Sequence, residues 1–438
     1  MARLTVGTVF HVAGRPGTVD EFLGEGGQGA VYRAKWNDRE WALKWYSPQF
    51  LETATGHREN IQRVVNLGAP TKRFLWPQAV ATIHGQSEFG YIMQLRSPEY
   101  ASLNSYVKRT VRTTFRNALR ACYQLAESFR QLHLKGYSYA DISRGNAFLH
   151  PGTGDILICD NDNVVPNGEA GVILGSGNFI APEILRNLAR PSIETDLHSL
   201  AVLMFQILFI AHPLDGKRLY AIRALDTPAR EMLYAKEPIF VFDQSNKANA
   251  PVVGHQDSLI RLWEHIYPSQ IKSAFEKAFT NGLHEPSKRV RESEWIELFA
   301  HTIDEVVHCT GCMAEHIVDS TLLKEGQPYE GTCWNCTQII RLPFALKVGR
   351  RLTYLTAETR LHPHHIVPRG QPDFDHVIGE VRRHPTDRQV WGLANRSGGP
   401  WKLTTSTGTV EVPDGRSATL SAGSTITFGN GETGTIIA

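Results

Sequence analysis

Tyr139-Ala140-Asp141-Ile142-Ser143-Arg144-Gly145-Asn146, followed by Ile156-Leu157-Ile158-Cys159-Asp160, decides how this chain is read. An aspartate in such a loop can take the proton of an attacking hydroxyl, and an asparagine five residues later can offer an oxygen to Mg²⁺. Asp160, at the end of an apolar strand, is a second hard oxygen donor for the same cation. Asp141 is therefore the candidate base, and Asn146 and Asp160 are the candidate metal ligands.

Toward the N-terminus, Gly24-Glu25-Gly26-Gly27-Gln28-Gly29-Ala30-Val31 fits G-x-G-x-x-G-x-V. Gly24, Gly26 and Gly29 would let phosphates approach backbone N–H groups without meeting a side chain. Lys44 follows on the next strand, in Trp41-Ala42-Leu43-Lys44, where a lysine in a cleft neutralises the α and β phosphates. A glycine turn or a strand lysine alone says little; order and spacing relative to Asp141 give them weight. Toward the C-terminus, Ala181-Pro182-Glu183 closes the segment and Asp196 opens a helix. The run Ser199–Ile210 is apolar all round, which predicts a helix buried on every side.

In this order the motifs over residues 20–300 resemble a eukaryotic-type Ser/Thr protein kinase. Gly175–Glu183 (GSGNFIAPE) lines up with that family's G-T-x-x-Y-x-A-P-E without a gap. The resemblance implies an α+β bilobal fold over 1–300, with a small lobe over about 1–95 and a large lobe over about 96–300. It implies ATP with Mg²⁺ or Mn²⁺ as cofactors. It implies Glu59 as the helix partner of Lys44, with Glu52 as competitor, and Met93 as gatekeeper. Gln94 to Arg96 would be the hinge that reads adenine, and Val31, Ala42 and Phe148 would sandwich the base. Glu183 would pair with Arg289, and Asp196 would hold the catalytic loop.

Several positions depart from the family pattern. Tyr139-Ala140 replace His-Arg, Ser143 replaces a lysine that Arg144 could stand in for, and Asp160-Asn161-Asp162 replace Asp-Phe-Gly. The missing arginine is the usual receptor for an activation-loop phosphate. Ser176 is the only hydroxyl residue between Asp160 and Glu183, so activity without activation-loop phosphorylation is expected. Lys44, Asp141, Asn146 and Asp160 are all retained, which favours an active Ser/Thr protein kinase. The alternatives are a pseudokinase scaffold and a small-molecule phosphotransferase; the intact Ala-Pro-Glu segment and Ser176 count against the latter.

Cys309-Thr310-Gly311-Cys312 and Cys333-Trp334-Asn335-Cys336 form C-x2-C-x20-C-x2-C, the spacing of a zinc ribbon, here over 301–342. Four thiolates close the coordination sphere, so Zn²⁺ would be structural. In residues 343–438, WGLAN, WKLTT, GTVEV, ATLS, STITF and GTIIA read as short strands between turn residues, a small β-sandwich. This zone resembles a forkhead-associated-like domain through Val377–Pro385 and the segments after it. His384 and Asn395 match, but Val381 stands where that family has a serine. His362, His364 and His365 read as a loop. The order of the three parts resembles bacterial kinases of tellurite-resistance-type phosphorylation triads. That implies a protein substrate, with a von Willebrand A-type protein and a metal-dependent phosphatase as partners.

Composition fits this organisation. A chain of 438 residues has room for two to four domains. With 42% apolar and 21% charged residues it is not disordered. Forty-six Lys+Arg against 44 Asp+Glu, a net charge of +2, exclude a wholesale nucleic-acid or membrane-surface binder. Arg112, Arg116 and Arg120, four apart, read as one helix face. The longest apolar run, Leu200 to His212, is too short to span a membrane. With no signal segment in MARLTVGTVF and four of six cysteines in CxxC pairs, a reducing, cytoplasmic compartment is expected.

Overall fold

The computed structural model describes residues 3–169, 171, 175–323, 327–367, 370–387 and 389–438. They form two compact units, Met1–Ile260 with Ser273–Trp295, and Arg261–Lys272 with Ile296–Ala438. The secondary structure is mixed α and β throughout.

The first unit opens with β1 (Val9–Val12), β2 (Arg15–Glu25), β3 (Gly29–Trp36), β4 (Arg39–Tyr46), β5 (Ala79–Thr82) and β6 (Phe89–Met93). They close into a barrel in the order β1-β2-β3-β4-β6-β5. Alternation sets its inside: Ala30, Tyr32 and Ala34 of β3 pack with Val12, Val19, Leu43 and Ile92. The glycine turn is the tip of the β2–β3 hairpin. A Cβ at Gly29 would meet the Trp45 carbonyl oxygen at 2.1 Å, so close approach of β4 requires glycine there. At Gly24 and Gly26 a Cβ would meet nothing within 4 Å.

Helix α1 (Pro48–Thr53) is capped by the Ser47 hydroxyl, and α2 (His57–Leu67) ends at Gly68, whose φ of 70° is left-handed. The stretch whose arginines read as one helix face becomes the helix Phe115–Leu134, capped by Thr114. Arg112 therefore lies before that helix, not on the face shared by Arg116 and Arg120; Arg120 pairs with Asp155 at 3.1 Å. The helix Ile193–Phe209 starts in a capping box between Ser192 and Thr195, and every residue from Thr195 to Phe209 is buried. Phe205 meets Phe240 and Phe275 edge-on within this core. No helix among the described residues is long and apolar enough to cross a membrane.

In the second unit a hairpin, Val306–His308 with Glu315–Ile317, precedes two antiparallel sheets of six and four strands. The six-stranded sheet holds Ala345–Val348, Arg351–Tyr354, Trp401–Thr405, Gly408–Val412, Thr425–Thr427 and Thr433–Ile437. The four-stranded sheet holds Arg360–Leu361, Gly379–Arg383, Trp391–Asn395 and Ser417–Thr419. Trp401, Leu393, Ile426 and Val381 share one core. Val381 is thus a packing residue, and Asn395 is fully buried, its amide donating to the carbonyls of Gly399 and Val412. His364 and His365 are on a short buried helix, Pro363–Ile366, and not in a loop as the sequence reading had it.

Candidate functional site

The loop that carries Asp141 is held from below. The Asp196 carboxylate accepts the backbone N–H of Tyr139 at 2.5 Å and of Ala140 at 3.0 Å. Asp196 also accepts from His133 Nε2 at 3.2 Å, and His133 Nδ1 bonds to Glu292. Burial opposes a charge on His133, but hydrogen bonds to the two carboxylates outweigh it and lift the imidazole to about 9. The Tyr139 hydroxyl donates to the Cys159 carbonyl and so ties the loop to the residue before Asp160. Ala140 takes a left-handed φ of 67°.

Within the loop, Asn146 Nδ2 donates to the Asp141 carbonyl and to Asp141 Oδ2, both at 2.9 Å. Burial raises the Asp141 carboxyl above its usual range, against the lowering pull of Ser176 and Asn146. Asn146 spends its amide N–H groups on Asp141, which leaves its amide oxygen for a cation. Asp160 has its side chain more than a third exposed and lies 3.4 Å from Lys44 Nζ. An exposed carboxylate and an amide oxygen are the hard donors Mg²⁺ takes, so the residues fit that ion.

Lys44 is buried, and the structure does not pair it with Glu59. Glu59 is exposed on α2, and so is Glu52 on α1. The nearest carboxylate to Lys44 is Asp162, with Oδ2 2.8 Å from Nζ and no solvent exposure. The physical reason is the helix register: Asn60, one position past Glu59, turns inward and donates Nδ2 to the Asp162 carbonyl at 2.9 Å. Tyr46 donates its hydroxyl to Asp162 Oδ2 at 2.5 Å, and His57 Nε2 lies 4.0 Å from the same oxygen. Burial disfavours charge on Lys44, yet Asp162 and Asp160 lift it to about 12. Burial likewise opposes the charge on Asp162, and Lys44 holds that carboxyl below its usual range. Gln28, in the glycine turn, completes the group: it accepts from Lys44 at 2.5 Å and donates to Asn163 at 2.9 Å.

Val31, Ala42 and Met93 meet in one cluster with Leu157 and Cys159, and Ala42 is the register partner of Met93. Phe148 lies instead under the Arg96 guanidinium, 4.4 Å from its ring centroid, while Arg96 also donates to the Tyr100 carbonyl at 2.5 Å. Gln94 is exposed just past the end of β6. Burial pushes the Cys159 thiol well up, so it is not a nucleophile. Glu183 and Arg289 form a buried bidentate pair at 2.7 and 2.8 Å. Sequence reasoning missed Asn60 and His133, and it took Tyr139 and Asp162 only as departures from the family pattern. A carboxylate two residues after Asp160 was the available signal for the lysine's partner.

In the second unit the four CxxC sulfurs lie within 4.8 Å of one another, with Cys309–Cys336 at 3.5 Å and Cys312–Cys333 at 3.6 Å. A tetrahedral zinc with bonds of about 2.3 Å would set its sulfurs roughly 3.8 Å apart, so the cluster fits that ion. The two turns match each other. Gly311 and Asn335 donate N–H groups to the first sulfur of their pairs at 3.4 Å, and Met313 and Thr337 are both left-handed. Residues 324–326, between the two pairs, lie outside the described residues. Asp304, His364 and His365 also cluster. The His362 N–H donates to His365 Nδ1 at 2.8 Å, which puts the proton of a neutral His365 on Nε2, facing Asp304 Oδ1 at 3.0 Å. That tautomer makes a buried hydrogen-bonded pair and not a metal ligand.

The family model for the protein kinase domain matches residues 18–247. The serine/threonine-protein kinase PknA of Mycobacterium tuberculosis (strain ATCC 25618 / H37Rv) and that of Mycobacterium bovis are each 29% identical to the chain over 237 residues. That alignment covers 50% of this chain and 51% of each relative. Protein kinase C delta type of Mus musculus is 31% identical over 128 residues, 27% of this chain and 19% of that protein. The chain spans about half the length of the bacterial relatives it matches.

Proposed function

The chain belongs to the protein kinase domain family, and on that premise we propose that it transfers the γ-phosphoryl group of ATP to a serine or threonine hydroxyl of a protein. The observation that carries this reading is the geometry that joins Asp141 to Asn146 and Lys44 to Asp160, with the Cys159 N–H donating to the Asn146 carbonyl at 2.9 Å between the two pairs. Asp141 orients the acceptor hydroxyl and takes its proton, and its raised carboxyl is suited to receive one. Asn146 and Asp160 hold the cation, and Lys44 holds the phosphates. A Mg²⁺ held by Asn146 and Asp160 would supply positive charge to offset that developing on the transferred phosphate. Gly24 and Gly26 support the same reading, because no neighbouring protein atom demands glycine at either position.

The four-cysteine cluster is proposed as a structural Zn²⁺ site in a ribbon, and the paired sheets as a forkhead-associated-like module. Since Val381 is core, phosphopeptide reading through a serine at that position is not part of the proposal. A protein substrate is the expected acceptor; a von Willebrand A-type protein and a metal-dependent phosphatase are proposed partners on domain order alone. The test is transfer of labelled phosphate from Mg·ATP to a generic protein acceptor by wild type, Asp141→Ala and Asp160→Ala. Transfer lost in both variants is expected. Equal transfer by Asp141→Ala would overturn the assignment. A wild type that binds nucleotide without transfer would favour a scaffold, the reading to which Gln28 on Lys44 lends support.

A further inference from the structure

A buried lysine needs a carboxylate to hold its ammonium group where a phosphate will arrive. Among the described residues, two carboxylates reach Lys44 Nζ, Asp162 at 2.8 Å and Asp160 at 3.4 Å. The Asp160 side chain is partly exposed and, on the phosphotransfer reading, would be taken up by the cation. Asp162 has no exposure, and its Oδ2 is shared by Lys44 and Tyr46. Helix α2 touches this centre with an amide, Asn60 Nδ2 on the Asp162 carbonyl, while its carboxylate, Glu59, points to solvent.

We propose that Asp162 is the positioning residue for Lys44, in place of a carboxylate on α2. The proposal rests on the phosphotransfer reading above and deepens it. Asp160, left-handed with φ of 54°, caps a single short 3₁₀ turn, Asn161–Asn163, and Asp162 lies within that turn. The metal ligand and the lysine's anchor are therefore set by the same few backbone angles. In this chain the phosphate-binding lysine is oriented by the segment that carries the metal, and an α2 carboxylate is not needed to complete the site.

The experiment measures Kd for Mg·ATP by fluorescence titration, together with KM and kcat for ATP, on the full chain. Asp162→Asn is expected to raise Kd and KM at least tenfold, with kcat falling by a smaller factor. Glu59→Gln is expected to stay within twofold. Adding Asn60→Glu to Asp162→Asn, which returns a carboxylate from α2, is expected to recover at least a third of the loss. Should Asp162→Asn fail to fold, Lys44→Met is compared with Lys44→Met/Asp162→Asn, in which both buried charges are gone. Equal Kd values in that pair are expected if Asp162 acts through Lys44. A further loss in the double variant, wild-type affinity in Asp162→Asn, or an equal loss in Glu59→Gln would each overturn the proposal. A wild type that binds Mg·ATP with this pattern but transfers no phosphate would sink the transferase reading and leave the anchor standing. One that binds no Mg·ATP would sink both.

Discussion

His133 sits where a pH change reaches the loop that carries Asp141. It is buried between Glu292 and Asp196, and Asp196 in turn holds the N–H groups of Tyr139 and Ala140. Its imidazole titrates near 9 in the fold against 6.5 for an ordinary histidine. That difference corresponds to about 3 kcal/mol of stability carried by the protonated form. Because the folded value is raised, the contribution is complete below about pH 6.5 and disappears as pH rises through about 9. In that window the folded chain binds more protons than the unfolded one, so stability must fall with pH. The assay is chemical denaturation at pH 6, 7.5 and 9.5, followed by tryptophan fluorescence, for wild type and His133→Gln. The variant should be weaker by about 3 kcal/mol at pH 6 and the two should converge near pH 9.5. Parallel curves across that range would refute the reasoning, because they would mean that His133 binds its proton equally well in the folded and the unfolded chain.

Asp141→Asn should lower the rate of phosphate transfer by about 10²- to 10⁴-fold while leaving Mg·ATP affinity within a few fold, read by single-turnover kinetics and titration. Arg289→Ala leaves Glu183 buried and unpaired and should cost about 3–5 kcal/mol, whereas Glu183→Gln/Arg289→Met should cost less; melting curves separate the two. Elemental analysis should find one zinc per chain in wild type and none in Cys312→Ser/Cys333→Ser. A structural zinc is worth on the order of 10 kcal/mol, so chelation should melt the cysteine-rich unit and leave nucleotide affinity unchanged. Gln28→Ala frees Lys44 of a 2.5 Å contact that a phosphate must replace, and should tighten Mg·ATP binding about threefold, or about 0.6 kcal/mol. A weaker Kd would show that Gln28 binds nucleotide and does not compete with it.

What could be read without coordinates was whatever local chemistry enforces. The strand pairs around the glycine turn, the helix Phe115–Leu134 ahead of Gly136, and Ile193–Phe209 all follow from periodicity and caps. In the second unit, WGLAN, WKLTT and GTVEV coincide with strands because turn residues bracket them. The cysteine cluster was legible because two identical CxxC turns leave few geometries other than a shared centre. The partner of Lys44 was not, because helix register cannot be fixed to one residue by spacing from a strand. Glu59 and Asn60 are adjacent, and a rotation of about 100° per residue sends one outward when the other turns in. Nor could the pattern say that the histidines of LHPHHI are buried, since three polar residues beside a proline look like surface chain.

The same limit explains why the departures from the family pattern were the least readable positions. Two looked like losses when taken alone: an Asp-Asn-Asp where Asp-Phe-Gly was expected, and a tyrosine where a histidine belongs. In three dimensions they compensate. Asp162 supplies the charge that Glu59 does not, Asn60 steadies the Asp162 backbone, and the Tyr139 hydroxyl reaches the carbonyl beside Asp160. Compensation of this kind runs between residues far apart in the chain, Lys44 and Asp162 being 118 positions apart. Only packing brings such partners together, and a buried charge with no partner would cost the fold several kcal/mol. The Lys44–Asp162 pair is therefore fixed by folding itself, whichever residue α2 presents to solvent.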